Sequence, residues 1–238
     1  AVLPSLDDPS ASVRAAAVAG LVRYAGIDGV LAAAETLKKL FLAPEPRTRA
    51  VGARVLADIQ VQSFYQPLLD LLEDPALEVR LAAIEAAGTM GSPELVPRLL
   101  QKLKDRETAR AARRALVGYG DTVEPVLLSV LRNREEDSEI RRGIPDILAR
   151  IGGPKAFAVI VRQLKTGDRR LRTALAKAAS RMRERIPHLE LDVELLHEIT
   201  TDEIRAAYQD LAVMDDLGLT PESLLGEALY VRSKGRIG

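Results

Sequence analysis

An arginine recurs along the chain at intervals close to 31 residues, and similar residues surround each copy. The aligned positions are Arg14, Arg49, Arg80, Arg110, Arg141 and Arg172, with successive spacings of 35, 31, 30, 31 and 31 residues. Each arginine opens a segment in which small or apolar residues follow at helical intervals. A fixed period of this length is typical of a solenoid, in which one supersecondary unit buries its apolar face only against its neighbours.

The stretch from Asp74 to Lys104 shows one complete unit. It opens with an Asp-Pro pair, continues with an alanine-rich leading helix, breaks at Gly88 and Gly91, and closes with a second, partner helix. Prolines recur at matching places in the partner helices, at Pro67, Pro97 and Pro125. A proline in the first turn of a helix loses little hydrogen bonding, so these prolines predict where partner helices begin. About six such units fill residues 1–190.

The repeat pattern is lost beyond Asp192, and residues 191–238 are predicted to form an acidic helical cap continuous with the solenoid. We expect a short helix over 192–199, a longer helix capped by Thr201-Asp202, and a last short helix that begins near Thr220. The terminal unit of a solenoid has to present one polar face to water, so an atypical end is typical of a cap.

Charge is distributed unevenly, although the formal net charge is zero. Residues 98–185 carry 22 basic and 11 acidic side chains, whereas residues 189–228 carry one basic and 11 acidic side chains. Mutual compensation within one molecule is the simpler interpretation of this pattern. The chain contains no cysteine and no apolar run of about 18 residues, which favours a cytoplasmic protein without a transmembrane segment in this stretch.

The pattern Asp-Pro…Val-Arg-x-x-Ala…Gly…Pro-x-Leu-Leu resembles HEAT repeats, in the short form also found in phycobilin lyases. The resemblance covers roughly residues 6–190 and implies an all-α, right-handed superhelical solenoid of about six two-helix repeats, followed by the helical cap. In HEAT repeats this arginine typically joins neighbouring units through the aspartate of the repeat. The resemblance therefore implies that the six aligned arginines form a structural ladder, in which Arg80 meets Asp74 or Asp105.

The partner helices line the concave surface in HEAT proteins, and their exposed positions are the candidates for contact with a partner. The candidate partner-binding surface comprises Arg98, Gln101, Lys102, Ser129, Arg132, Arg162, Gln163 and Lys165. These side chains are polar or basic, which suits a protein with an acidic face or an anionic phosphate.

A shorter similarity concerns residues 205–211, Arg-Ala-Ala-Tyr-Gln-Asp-Leu, which follow the run of repeats. This arrangement is similar to the HEAT region of some bacterial membrane transporters related to nucleotide carriers. That resemblance implies a cytosolic regulatory or assembly module, tethered to the membrane through parts of the protein outside this sequence. A phycobilin-lyase activity is not favoured, because no residue stands out for chromophore transfer.

The sequence offers few residues for catalysis, and we predict neither a catalytic residue nor a cofactor or metal site. The two histidines, His188 and His197, are nine residues apart and do not share a helix face as a zinc-binding i, i+4 pair would. Glycine-rich phosphate-binding motifs are absent, and the chain has neither cysteine nor a Gly-x-Ser-x-Gly motif.

Nucleic acid is the alternative partner, since residues 162–185 contain nine basic and two acidic residues. The segment has no aromatic residue that could stack on bases, which favours a solvated charged face instead. The predicted function is that of a non-catalytic scaffold, which binds another protein or a neighbouring domain of the same chain through the concave surface of its partner helices.

Overall fold

The computed structural model describes residues 2–59, 62–189 and 193–218, which form α-helices and short 3-10 turns. The α-helices, in chain order, are α1 (Ala11–Tyr24), α2 (Gly26–Phe41), α3 (Pro46–Ile59), α4 (Gln66–Leu71), α5 (Leu77–Met90), α6 (Val96–Gln101), α7 (Ala109–Gly118), α8 (Glu124–Arg132), α9 (Ser138–Ile151), α10 (Pro154–Gln163), α11 (Arg169–Arg185) and α12 (Val193–Asp216). The 3-10 turns span Leu3–Asp7, Gln62–Tyr65, Pro93–Leu95 and Gly120–Thr122. The predicted all-α repeat fold is confirmed.

The helices group into two compact units, one through Gly152 and one from Gly153 onward. The predicted division between residues 190 and 191 therefore stays a prediction. In the first unit the leading helices α1, α3, α5, α7 and α9 contact one another in succession. The partner helices α2, α4, α6 and α8 each contact the leading helix that follows them, so helix pairs stack in two layers. In the second unit α10 packs on α11.

Aspartates and prolines explain where these helices begin. The side chains of Asp8, Asp74, Asp105, Asp137 and Asp168 each accept a hydrogen bond from the backbone N–H two residues later. This geometry fixes the turn before a leading helix. Before α9 and α11 it also satisfies a donor that the first helical turn leaves unpaired. The prolines at 67, 97 and 125 are the second residues of α4, α6 and α8, as predicted.

The core of the first unit consists mainly of leucine, isoleucine, valine and alanine side chains between the helix layers. The apolar residues of α5 to α8 that lie between the helix layers are buried; they include Val79, Ala83, Leu99, Leu103, Ala112, Leu116, Leu127 and Leu131. Val13, which precedes the aligned arginine of α1, is 40% exposed, whereas Val79 at the matching place in α5 is buried. Leading helices approach closely at Gly88, where an added Cβ would lie 2.7 Å from Cα of Ala115.

The C-terminal part differs from the prediction in one respect. Thr201 and Asp202 lie inside the single helix α12 and do not begin a new one. Further along the same helix, Ala207 and Met214 are both buried. The last predicted helix, beginning near Thr220, lies outside the described residues.

Candidate functional site

Three of the aligned arginines bind the turn that precedes their own helix. Arg14, Arg49 and Arg80 are each the fourth residue of a leading helix. In each case Nη1 donates to the backbone carbonyls five and six residues earlier, at distances between 2.7 and 3.0 Å. These contacts fix the turn that precedes each of these three helices against the helix itself.

Arg49 also joins two repeats, because its guanidinium forms a two-pronged contact with the carboxylate of Asp74. Nε lies 2.7 Å from Oδ2 and Nη2 lies 2.9 Å from Oδ1, with side-chain exposures of 14% for Arg49 and 7% for Asp74. The hydrogen bonds from Arg49 lower the pKa of Asp74 below its ordinary value, against the opposing effect of burial. Lys104 makes a similar link at 2.8 Å to Asp137, the turn aspartate before α9.

Arg80 departs from the predicted pairing. It contacts Asp74 through the backbone carbonyl, and its own ion pair at 3.4 Å is with Glu107 rather than with Asp105. The carboxylate of Asp74 is occupied by Arg49, and Asp105 uses its own carboxylate to accept the backbone N–H of Glu107.

Arg141 and Arg172 are also the fourth residues of their helices, α9 and α11. Arg141 is buried, and its Nε donates to the carbonyl of Leu131 near the C-terminal end of α8. A helix end carries partial negative charge on its free carbonyls, so a buried guanidinium is stabilised there.

Arg110 does not share this position. It is the second residue of α7, two positions earlier than its counterparts. Since each residue turns the helix by about 100°, the side chain of Arg110 points about 200° away from the ladder direction, and it is exposed. At this turn it is the buried hydroxyl of Thr108, not the arginine, that donates a hydrogen bond to an earlier backbone carbonyl, that of Lys102, at 2.9 Å.

The predicted partner-binding residues of the first unit lie on α6 and α8, and most of them reach solvent. Arg98, Gln101, Ser129 and Arg132 are exposed. Lys102 is an exception, because it is 9% exposed and its Nζ lies 2.7 Å from the carboxylate of Glu73. Lys102 therefore contributes to packing between repeats instead of an exposed binding surface. Arg98 lies 4.0 Å from the other oxygen of Glu73.

In the second unit the predicted residues lie at the C-terminal end of α10 or directly after it. Arg162 is exposed and Gln163 is half-buried. Lys165 is partly exposed and pairs at 2.6 Å with Glu198 of α12. This pair joins the basic and the acidic stretches of the sequence.

An apolar groove between α2 and α4 is the feature that the sequence interpretation missed. It encloses about 530 Å³. Its walls are formed by α2 with the residue after it, by α3, and by α4 with the 3-10 turn before it. The lining residues are Ala34, Leu37, Lys38, Phe41, Leu42, Leu56, Phe64, Gln66, Pro67, Leu69, Asp70 and Leu71. Two of the three phenylalanines of the chain are among them, which is the signal that could have pointed to the groove.

The groove is open to solvent at an apolar edge. Leu42 is 72% exposed, and the half-buried rings of Phe41 and Phe64 lie deeper. Lys38 and Asp70 are exposed charged residues among the lining side chains. An apolar wall with a few polar groups at its rim can accept an apolar side chain of a partner and orient the chain that carries it.

The described residues contain no group of three or more side chains suited to hold a metal ion. His188 and His197 are both exposed. None of the described helices is long and apolar enough to cross a membrane.

A family model for HEAT repeats matches residues 33–119 and residues 96–180, which together cover more than half of the chain. The chain belongs to the HEAT-repeat family. HEAT repeats typically serve as protein-interaction scaffolds and are generally non-catalytic. A crystal structure of an engineered protein is similar at 19% identity and a TM-score of 0.40, over 77% of this chain and 95% of that one. No match was found among curated proteins.

Proposed function

We propose that this protein is a non-catalytic scaffold that binds another protein through the partner helices of its first unit. The observation that supports this proposal is the open apolar groove between α2 and α4. It lies in the layer of partner helices, where α6 and α8 present the exposed side chains of Arg98, Gln101, Ser129 and Arg132.

This combination has the anatomy of a protein interface. Protein interfaces concentrate their binding energy in a few apolar or aromatic contacts that exclude water, surrounded by a polar rim. The groove supplies the apolar site, and the arginines of α6 and α8 supply rim contacts that favour an acidic partner surface. A leucine or aromatic side chain of the partner, inserted beside Phe41 and Leu42, is the expected anchor.

Leu42 and Leu31 provide a matched test of this proposal. Both are exposed leucines, at 72% and 71%, but only Leu42 lines the groove. A photoactivatable phenylalanine analogue is placed at either position, and the full chain is irradiated in an extract of the cells that encode it. We expect a discrete cross-linked protein from position 42 and none from position 31.

The glutamine variants complete the experiment. Leu42→Gln should lower capture of that protein by about tenfold, as expected for loss of an apolar interface anchor, and Leu31→Gln should leave capture unchanged. Equal cross-linking from both positions, or equal loss in both variants, would contradict the proposal. The sequence-based alternatives, a module of a membrane transporter and an electrostatic nucleic-acid binder, stay predictions.

A further inference from the structure

Helix α7 carries a concentrated positive charge on its outer side. Its sequence contains Arg110, Arg113 and Arg114 and no acidic residue. Residues three and four apart lie on one face of a helix, so these side chains are neighbours. Arg110 and Arg114 are exposed and Arg113 is half-buried. We refer to these three residues as the α7 arginine face.

The side chains of the α7 arginine face are not paired with acidic residues in the described part of the protein. Among the residues that the structure describes, none of the three arginines takes part in an ion pair or a side-chain hydrogen bond. The neighbouring leading helix α9 differs, because Arg142 pairs with Glu139 at 2.5 Å and Arg150 pairs with Asp146 at 3.6 Å. The positive charge of α7 is therefore available to a partner.

The placement of these arginines is unfavourable for the helix itself. Arg110 lies in the first turn of α7, where the helix dipole disfavours cations. Arg110 and Arg114 are also like charges four residues apart, which repel each other. What distinguishes α7 is the clustering of three neighbouring arginines without an acidic partner among the described residues, two of them exposed, which forms a positive surface that an external anion can bind.

We propose that the α7 arginine face binds an acidic segment of another protein. Helix α7 is about 15 Å long, a distance that an extended peptide spans with four or five residues. Two or three carboxylates in such a peptide match the three guanidinium groups, which bind carboxylates through paired hydrogen bonds. Nucleic acid fits less well, because nucleic-acid binders commonly neutralise six or more phosphates. The site lies on a leading helix, so it is independent of the groove proposed above.

The cleft beside this face limits which acidic segment fits. About 510 Å³ between α5 and α7 is lined by Arg114 and by Glu85, together with small and uncharged residues. Glu85 is exposed and does not pair with Arg114. A carboxylate close to Glu85 would be repelled, so the acidic residues of the partner should lie toward Arg110 and the start of α7.

The experiment measures binding of a fluorescein-labelled oligoglutamate peptide to the full chain by fluorescence anisotropy. The double variant Arg110→Gln/Arg114→Gln should weaken binding by about tenfold, since each solvent-exposed charge pair contributes about a factor of three. The matched control is Arg47→Gln/Arg54→Gln, which removes the same charge from exposed and unpaired arginines of leading helix α3. It should leave affinity nearly unchanged, as should Leu42→Gln.

Thermal unfolding distinguishes binding from folding in the same variants. The Arg110→Gln/Arg114→Gln protein should melt at the wild-type temperature or slightly above it, because unfavourable charges are removed. Absence of peptide binding, or an equal loss in the α3 control, would overturn the proposal. A single-stranded DNA oligonucleotide that binds more tightly than the peptide, and depends on Arg110 and Arg114, would overturn the assignment to an acidic protein segment.

Discussion

Arg49 and Asp74 illustrate how a single residue pair stabilises two consecutive repeats. Both side chains are largely buried and two hydrogen bonds join them, so removal of the cation leaves a buried carboxylate without its partner. We expect Arg49→Met to lower the free energy of unfolding by about 2 kcal/mol. Arg47→Met in the same helix removes an exposed arginine and should change it by less than about 0.5 kcal/mol. Urea unfolding of both variants measures these two changes in the free energy of unfolding, and equal losses would contradict the prediction.

The pH dependence of the same pair provides an independent check. The pKa of Asp74 is lowered in the folded state, mainly by its hydrogen bonds with Arg49. Its stabilising contribution is therefore complete above the ordinary aspartate pKa of about 3.9 and is lost as pH falls through the lowered folded value. The stability difference between the wild type and Asp74→Asn should be constant near neutral pH and shrink under acid conditions. A difference that does not change with pH would show that the ion pair contributes nothing.

The arginines also show what spacing alone predicts and what it does not. The repeat period places an arginine near the start of all six leading helices, but it is the fourth residue of the helix at only five of them. It does not reveal that α7 begins four residues after Asp105, whereas α5 begins three residues after Asp74. The helix therefore begins one residue later relative to its aspartate, and the arginine comes one residue earlier than the usual spacing of 31. Arg110 is thus the second residue of α7, and its side chain faces the solvent. The exact start of a helix depends on the local turn, which periodicity does not encode.

At the scale of the helix, substitutions at two glycines separate the effect of helix packing on stability from that of helix propensity. Gly20 in α1 has no atom within 4 Å of an added Cβ, whereas the same atom on Gly88 would lie 2.7 Å from Cα of Ala115. Gly20→Ala should therefore stabilise the protein by about 0.5–1 kcal/mol through helix propensity. Gly88→Ala should destabilise it by about 1–3 kcal/mol, because α5 and α7 have to move apart. Denaturant midpoints of the two variants should shift in opposite directions; a gain in both would mean that the helices separate without cost.

The groove between α2 and α4 depends on helix lengths that the repeat pattern does not define. Helix α2 has 16 residues and α4 has six, so α4 covers less than half of the length of α2. The sequence indicates that Leu37, Phe41 and Phe64 are apolar, and apolar residues in a repeat are normally assigned to its core. Only the shortening of α4 leaves them around an open space. The exposure of Arg98, Gln101, Ser129 and Arg132 could be predicted from their places in the partner helices, whereas the burial of Lys102 depends on its pairing with Glu73.

At the scale of the whole molecule, the uneven charge of the sequence is partly balanced inside the structure. Lys165, from the basic stretch, pairs with Glu198, from the acidic stretch, within the second unit. Lys102 also belongs to the basic stretch, and it pairs with the carboxylate of Glu73 within the first unit. Among the described residues, the α7 arginine face is one group of charges that this balancing leaves uncompensated. Net charge alone therefore does not identify a binding surface, whereas the pairing of individual residues does.

The division near Gly153 predicts how stability is distributed along the chain. Repeat proteins are stabilised by their own helices and by contacts with nearest neighbours, so local unfolding can occur separately in different parts. Leu175 of α11 and Ile84 of α5 are both fully buried, one in each unit. Replacement of either by alanine should cost about 2–5 kcal/mol locally. Hydrogen exchange should then accelerate in α10 and α11 for Leu175→Ala, and in α3, α5 and α7 for Ile84→Ala. Acceleration of all protected amides in both variants would instead show that the two units unfold as one, and the packing division would then have no energetic counterpart.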